Sequence, residues 1–357
     1  MKHKNTLFSK NLLNWYDINK RTLPWRSESD PYRIWLSEIM LQQTQTQRVS
    51  HYYFKWLKRF PSLKSVAKAK EESLLKVWEG LGYYNRCRNF HSAAKTVIKD
   101  YNGKIPNEFE LFRALPGIGD YTAAAVLSIA FDVPLPAIDG NIKRVMARML
   151  RIKTITKYNF RRVQKELENF IDKTRPGDFN QALMDLGNQV CRPNQAHCYA
   201  CPMKSFCRAA QTDHPEQYPR PELSKDIPHY DVVVGLIWKK GRFLILKRDN
   251  QKHLGGLWEL PGGKIDYRES PEKALIREIK EECNVDVILG KNTDPIKHRY
   301  SHFSITVRAF HCQLYNGKKV FSNQPNRWIT PQQIIEFPFP KANHKLFAKI
   351  NFEADNV

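Results

Sequence analysis

The sequence predicts a multidomain chain: an all-α part over residues 1–210, then a smaller α/β domain over residues 230–350. Three observations carry this. Apolar residues recur at helical spacing through the first 210 positions, with Pro and Gly between the runs. Residues 211–229 then collect Pro215, Pro219, Pro221 and Pro228 among charges, the composition of a linker that is part extended and poorly able to pack. Beyond them the texture turns β-rich.

Taken in order, the 3.6-residue period predicts helices over 7–16, 34–60, 72–80, 90–101, 121–131, 142–150 and 160–171. Past the linker, residues 230–238 and 242–247 read as strands joined by Lys240–Gly241, a hairpin signal. Residues 270–283 form one charged helix, and 304–315 return to strand. There is no internal repeat and no low-complexity tract.

Lys and Arg number 58 against 36 Asp and Glu, a formal charge of +22. Such an excess favours a polyanionic partner, because each phosphate contacted releases condensed counterions. A membrane surface is the competing polyanion. No basic amphipathic helix presents a clean apolar face, however, and the longest apolar stretch, 123–131, is too short to span. The chain opens MKHKNTLFSK without an apolar signal core. A cytoplasmic, unexported protein directed at DNA or RNA, with no membrane partner, is expected.

Cys191-x6-Cys198-x2-Cys201-x5-Cys207 can bring four thiolates to one metal centre. Zinc and iron–sulfur clusters both take four thiolates, so spacing leaves the metal open. A disulfide framework fits poorly with seven Cys in an unexported chain. Cys87, Cys283 and Cys312 lie scattered, as ordinary thiols do.

Leu115–Pro116–Gly117–Ile118–Gly119–Asp120 joins two predicted helices. Gly117 and Gly119 permit a turn whose N–H groups face outward at the start of the next helix, where a phosphate can sit. This is the helix-hairpin-helix pattern. Asp139 stands where it would cap the following helix, and capping hydrogen bonds would hold it as a low-pKa anion. Such an anion suits the cationic sugar that develops when a glycosidic bond breaks. Glu38 shares a helix face with Ile34, Trp35 and Leu41, so desolvation should raise its pKa, as a general acid requires.

These features share one order with the segments WLSEIMLQQTQ, GLGYY, LPGIG and IDGN and the Cys loop. Residues 7–210 resemble the adenine DNA glycosylases of the MutY type, in the endonuclease III superfamily. The resemblance implies a monomer acting on double-stranded DNA, excising adenine opposite 8-oxoguanine or guanine. It implies a 4Fe–4S cluster on Cys191, Cys198, Cys201 and Cys207. Glu38 would protonate adenine and later activate water, and Asp139 would stabilise the sugar cation, with Tyr121 and Asn141 in support. Gln43, Thr44 and Tyr83 would enter the duplex around the lesion. Related glycosylase/lyases carry a Lys where this chain has Tyr121, so hydrolysis without lyase chemistry is expected.

The C-terminal part is similar to the Nudix box of pyrophosphohydrolases. Gly263, Glu269, Arg277, Glu278, Glu281 and Glu282 match as they stand, and Asn284 replaces a Gly. Glu278, Glu281 and Glu282 share one helix face and could bind Mg²⁺. Asn284 tolerates the left-handed conformation that ends such a helix. In MutY-type proteins this Nudix-like tail reads the oxidised guanine. Here Ser301, in the loop 298–303, would hydrogen-bond the lesion, while hydrolysis of oxidised nucleoside triphosphates is the alternative use.

Overall fold

The computed structural model describes residues 2–220, 226–315, 319–350 and 352, with side chains from residue 5 onward. Helices α1 (Lys2–Asn19), α2 (Pro31–Leu41), α3 (Thr46–Arg59), α4 (Leu63–Lys68), α5 (Glu71–Trp78) and α6 (Asn85–Asp100) come first. They are followed by α7 (Phe109–Arg113), α8 (Asp120–Ala130), α9 (Gly140–Met149), α10 (Lys157–Phe170) and α11 (Pro176–Gln189). Strands β1 (His229–Lys239), β2 (Arg242–Lys247), β3 (Trp258–Glu259) and β4 (Gly262–Lys264) precede helix α12 (Pro271–Cys283). Then come β5 (Val287–Asn292), β6 (Ile296–Arg299), β7 (Ser304–Leu314), β8 (Asn326–Ile329) and α13 (Lys341–Phe347). Contacts divide the chain into two compact units, Met1–Lys68 with Asn89–Leu223, and Ala69–Arg88 with Ser224–Val357. No helix among the described residues is long and apolar enough to cross a membrane.

In the first unit α2 is buried along most of its length and packs on α3 and α8. Asp30 caps it by accepting from the Tyr32 N–H at 2.9 Å, and Pro31 starts it with a preset φ. Its side chains are apolar on nearly every face, so Ile34, Trp35, Leu36, Ile39 and Met40 are all buried and Glu38 goes in with them. Each such fully buried large side chain contributes about 1.5–3 kcal/mol. The single helix expected over 34–60 is in fact two. Residues 42–45 offer no apolar anchor to continue the stripe, Gln43 turns left-handed (φ 55°), and the Gln42 amide donates to Thr122 Oγ at 3.0 Å.

Helix α11 is not legible in the pattern, because Gly177, Asn180, Asp185 and Gly187 interrupt Phe179, Ala182, Leu183 and Leu186. Its glycines serve packing: a Cβ at Gly187 would lie 2.8 Å from the Asn141 Cβ, so only Gly lets α11 approach the start of α9. Leu12, Met146, Leu167 and Leu186 lie in the core shared by α1, α9, α10 and α11. The Cys loop leans on this core through fully buried Met203 and through Phe206, whose ring edges onto Phe8 at 5.3 Å.

The linker packs further than its composition suggests. Tyr218 is buried, its carbonyl accepts from Arg148 Nε at 3.0 Å, and Glu216 accepts the Ala196 N–H at 2.7 Å. Pro221, expected in the linker, lies outside the described residues.

In the second unit a mixed sheet runs β3-β2-β1-β7-β5, with β4 on β1, β6 on β7 and β8 on β2. Strands β1 and β7 pair in parallel; the β1–β2 hairpin turns at Lys240 (φ 49°) and Gly241 (φ 70°), as a two-residue turn requires. Helix α12 covers one face through Leu275 and Ile279, and α13 covers the other through Leu346 and Phe347. Ser270 caps α12, and Asn284 ends it in the left-handed conformation (φ 52°, ψ 36°), as its amide permits.

Candidate active site

Glu38 is buried, and the Tyr121 hydroxyl donates to its Oε2 at 2.8 Å. Burial pushes the Glu38 carboxyl up to about 7, the Asp139 charge adds to the rise, and the Tyr121 bond and Arg26 restrain it. The phenol of Tyr121 is itself raised well above its usual value, by burial and then by the Glu38 and Asp139 charges. Glu38, Tyr121 and Asp139 thus form one electrostatic group, assembled from α2, the start of α8 and the cap of α9. Leu23, Trp25, Arg26 and Gln181 line the same narrow cleft. Arg26 is held there by Asp185, fully buried, which accepts from Arg26 Nη2 at 3.0 Å and from Arg21 Nε at 2.7 Å. Neither Arg26 nor Asp185 stands out in the sequence. They are 159 positions apart, and nothing local marks the pair.

Asp139 caps α9, with Oδ1 accepting the Ile142 N–H at 2.7 Å and Oδ2 accepting from Asn141 Nδ2 at 2.8 Å. Its pKa does not fall as expected. Burial raises it, and the capping bonds only partly offset that cost. Beyond Asn141 the network continues: Arg144 Nη2 donates to Asn141 Oδ1 (2.9 Å) and to the Gly187 carbonyl (2.7 Å), and its Nε donates to the Cys191 carbonyl (3.0 Å).

Cys191, Cys198, Cys201 and Cys207 are all free and border one small cavity walled by Val145, Met149 and Leu186. Burial pushes the Cys201 thiol up to about 12 and raises Cys198 and Cys207 too. Arg148, only 2% exposed, donates to Cys191 Sγ at 3.2 Å and to the Arg192 and Pro193 carbonyls at 2.7 Å each. Four soft donors, an apolar wall and one N–H aimed at a sulfur suit a thiolate-bound iron–sulfur cluster. Among the described residues, no three Cys, His, Asp or Glu side chains are already drawn to the spacing of a single metal ion.

The hairpin follows the pattern read from it. Gly117 turns at φ 77° and abuts Asn89, where a Cβ would come within 2.5 Å, and Gly119 is the N-cap of α8 with no side-chain cap. A Cβ at Gly119 would meet nothing, so the space in front of it is open. Gln43 stands exposed at the turn after α2, with Thr44 half-buried beside it. Tyr83 belongs to the second unit, 37% exposed on a left-handed residue (φ 49°).

Also in the second unit, Ser301 and His302 form the exposed tip of a turn closed by the Tyr300 N–H on the Phe303 carbonyl (2.8 Å). Behind it the Tyr300 and Phe303 rings pack at 4.8 Å and His253 edges onto both. A cavity of about 510 Å³ opens against these same rings, lined by His253, Tyr300, Phe303, Tyr230, Glu278 and Glu282. Arg277 binds Glu269 at 2.8 Å and Glu278 at 3.0 Å, so the box is internally braced. Glu282 accepts the Gly262 N–H at 3.0 Å and is pushed up to about 7 by burial and then by Glu259 and Glu278. Glu281 is exposed, 3.5 Å from Arg277.

Residues 36–173 match the family described as HhH-GPD superfamily base excision DNA repair protein, and residues 233–349 match the NUDIX domain. The adenine DNA glycosylase of Buchnera aphidicola (subspecies Baizongia pistaciae, strain Bp) is 41% identical, covering 96% of this chain and 97% of its own length. The human adenine DNA glycosylase is 31% identical over 96% of this chain and 73% of its own. The chain belongs to the adenine DNA glycosylase family. Membership makes it a base-excision-repair N-glycosylase that works on DNA, and the resemblance seen in its motifs extends over both domains. A thermostable thymine-DNA glycosylase superposes with a TM-score of 0.54 at 29% identity, over 58% of this chain and 96% of that one. An endonuclease III–DNA covalent intermediate does so at 0.51 and 22% identity over 59% and 97%, a likeness of fold.

Proposed function

We propose that the protein is a monomeric, monofunctional glycosylase that removes adenine paired with 8-oxoguanine or guanine in double-stranded DNA. The observation that carries this is the Glu38–Tyr121–Asp139 group, one carboxyl poised near neutrality beside a second held by two donors. At neutral pH about half of the Glu38 side chains are protonated. Tyr121 occupies one carboxyl oxygen, leaving the other to pass its proton to adenine N7. As the C1′–N9 bond breaks, its electron pair leaves with the base, and positive charge grows on the sugar. Asp139, with one donor on each oxygen, faces that charge without reorganising. Glu38, now anionic, takes a proton from the water whose oxygen adds to C1′.

Cys191, Cys198, Cys201 and Cys207 would hold the 4Fe–4S cluster, which would crosslink the loop within itself from Cys191, just past α11, to Cys207, while Arg144 and Arg148 tie that loop to α9. Purified protein should carry iron and sulfide in roughly equal amounts, about four each; zinc after anaerobic purification would overturn the assignment. Gln43, Thr44, Gly117, Gly119 and Tyr83 would contact the duplex, Tyr83 as a wedge beside the lesion. Ser301 would read the oxidised guanine. The test is excision: Glu38→Gln and Asp139→Asn should each lose about 10²–10⁴-fold while retaining duplex binding. Excision at the parent rate by either would sink the mechanism.

The 510 Å³ cavity beside Glu278 and Glu282 favours a second reading, in which Glu278, Glu281 and Glu282 hold Mg²⁺ and hydrolyse an oxidised nucleoside triphosphate. Lesion reading takes precedence, because the Ser301 tip needs no metal. Mg²⁺-dependent triphosphate hydrolysis by the full chain, lost in Glu281→Gln, would establish the second activity.

A further inference from the structure

Residues 69–88 belong by their contacts with the C-terminal unit, although they lie in the helical half of the sequence. A dense set of polar bonds runs along α5 and just past its end. Glu79 Oε1 accepts the Phe339 N–H at 2.7 Å and His344 Nε2 at 2.6 Å, and Oε2 accepts Lys76 Nζ at 2.7 Å. Lys76 donates again to the Phe337 carbonyl at 2.8 Å, and Glu72 accepts the Trp258 indole N–H at 2.5 Å. The Glu79 side chain is only 14% exposed. Burial alone would raise its carboxyl, but His344, Lys76 and the Phe339 N–H outweigh it and hold it below its ordinary value.

Immediately after Glu79 the chain enters the turn that carries Tyr83. Gly80 and Gly82 lie at φ 92° and 83°, backbone that only Gly adopts freely. The turn is crosslinked within itself: Trp78 Nε1 donates to the Gly82 carbonyl at 3.0 Å, and the Gly80 N–H to Tyr84 Oη at 3.1 Å. Arg86 donates to the same Gly82 carbonyl at 3.1 Å while lying 5.3 Å over the Tyr83 ring. A turn braced this way moves as one body with the residue that anchors it. Tyr83 and Ser301 thus sit in one compact unit, some 200 positions apart in sequence.

We propose that Glu79 is a positioning residue for lesion discrimination, clamping the Tyr83 turn to the fold that carries Ser301, so that wedge and reader meet the duplex in fixed register. The proposal rests on the reading of Tyr83 as a wedge, and a double-mutant cycle separates the two. Single-turnover adenine release is measured opposite 8-oxoguanine and opposite guanine for the full-length parent, Glu79→Ala, Tyr83→Ala and the pair. Glu79→Ala should narrow the preference for 8-oxoguanine by about tenfold, and the double variant should lose no more than Tyr83→Ala alone. If Tyr83→Ala leaves the preference intact, the wedge reading fails. If Tyr83→Ala narrows it but Glu79→Ala does not, or if the two losses multiply, the clamp is wrong and the wedge survives. Should Glu79→Ala not fold, His344→Ala and Glu79→Gln, which keeps an acceptor for the Phe339 N–H, replace it in the same cycle. Partial loss in both supports the clamp, and none in either refutes it.

Discussion

Tyr121→Phe isolates one hydrogen bond at the centre of the chemistry. The phenol donates to Glu38 at 2.8 Å, a bond that favours the carboxylate over the acid. Hydrogen bonds to charged groups contribute about 1.5–3 kcal/mol, and about 1.36 kcal/mol corresponds to a tenfold change in protonation. Removing the bond should therefore raise the Glu38 pKa from about 7 by about one to two pH units. In the proposed mechanism Glu38 acts in its protonated form and Asp139 as an anion, so excision should be full below the Glu38 pKa and fall above it. It should also fall on the acid side as Asp139 protonates, through a value lying above the ordinary range for Asp because of burial. The parent should give a bell with its alkaline limb near 7. In Tyr121→Phe that limb moves to about 8–9, while the acid limb stays, since Tyr121 is not among the groups that set the Asp139 carboxyl. The plateau should drop about tenfold through lost orientation. Single-turnover release of adenine from a duplex, followed from pH 5 to 10, reads both limbs. An alkaline limb that stays at 7 or moves down would refute the assignment of Glu38 as the acid.

Glu38→Gln tests the same carboxyl through stability. Its folded value of about 7 exceeds the ordinary 4.5, so the native state loses about 3 kcal/mol as pH rises between them; the variant should melt relatively higher at pH 8 than at pH 5, and an unchanged difference would contradict the burial argument. Tyr121→Lys should allow borohydride to trap a covalent adduct with adenine-containing duplex, which the parent should not form. Arg148→Met leaves three carbonyls and a sulfur without their donor, and should cost about 2–4 kcal/mol in chemical denaturation; a loss below 1 kcal/mol would show the guanidinium to be dispensable. Ser301→Ala should narrow the preference for 8-oxoguanine over guanine by about 1–3 kcal/mol, with Glu281→Gln silent in the same assay.

Local chemistry is legible wherever the motif carries its own geometry. The Lys240–Gly241 hairpin, the Ser270 and Asn284 ends of α12, the Asp139 cap and the Gly117 turn all come from residues adjacent in sequence. Burial of Glu38 is legible too, because its helix is apolar on nearly every face. What escapes depends on distance. Arg26 and Asp185 meet only after α11 packs, and α11 hides its period behind the glycines that let it pack. The Asp139 pKa departs from expectation for a related reason. Capping bonds are visible in the sequence, whereas the burial that outweighs them depends on neighbouring helices. The Cys loop places Met203 in the core of the unit and packs Phe206 against it, contacts with distant helices that the run itself does not show.

Helix α9 ties Asp139, the proposed counter-charge, to the Cys loop through one short element. Its first turn orients Asp139 through Ile142 and Asn141, and its second and third turns present Arg144 and Arg148 to the backbone and sulfur of Cys191. Rigid attachment at the far end limits how far the near end can tilt. A displacement of about 1 Å at a reacting group can cost about 10²-fold in rate, more than most single contacts supply. A crosslink through the four cysteines would therefore matter to Asp139 without touching the substrate. Iron loading and excision rate should accordingly fall together in variants of Arg144, whose guanidinium bonds both Asn141 Oδ1 and the Cys191 carbonyl.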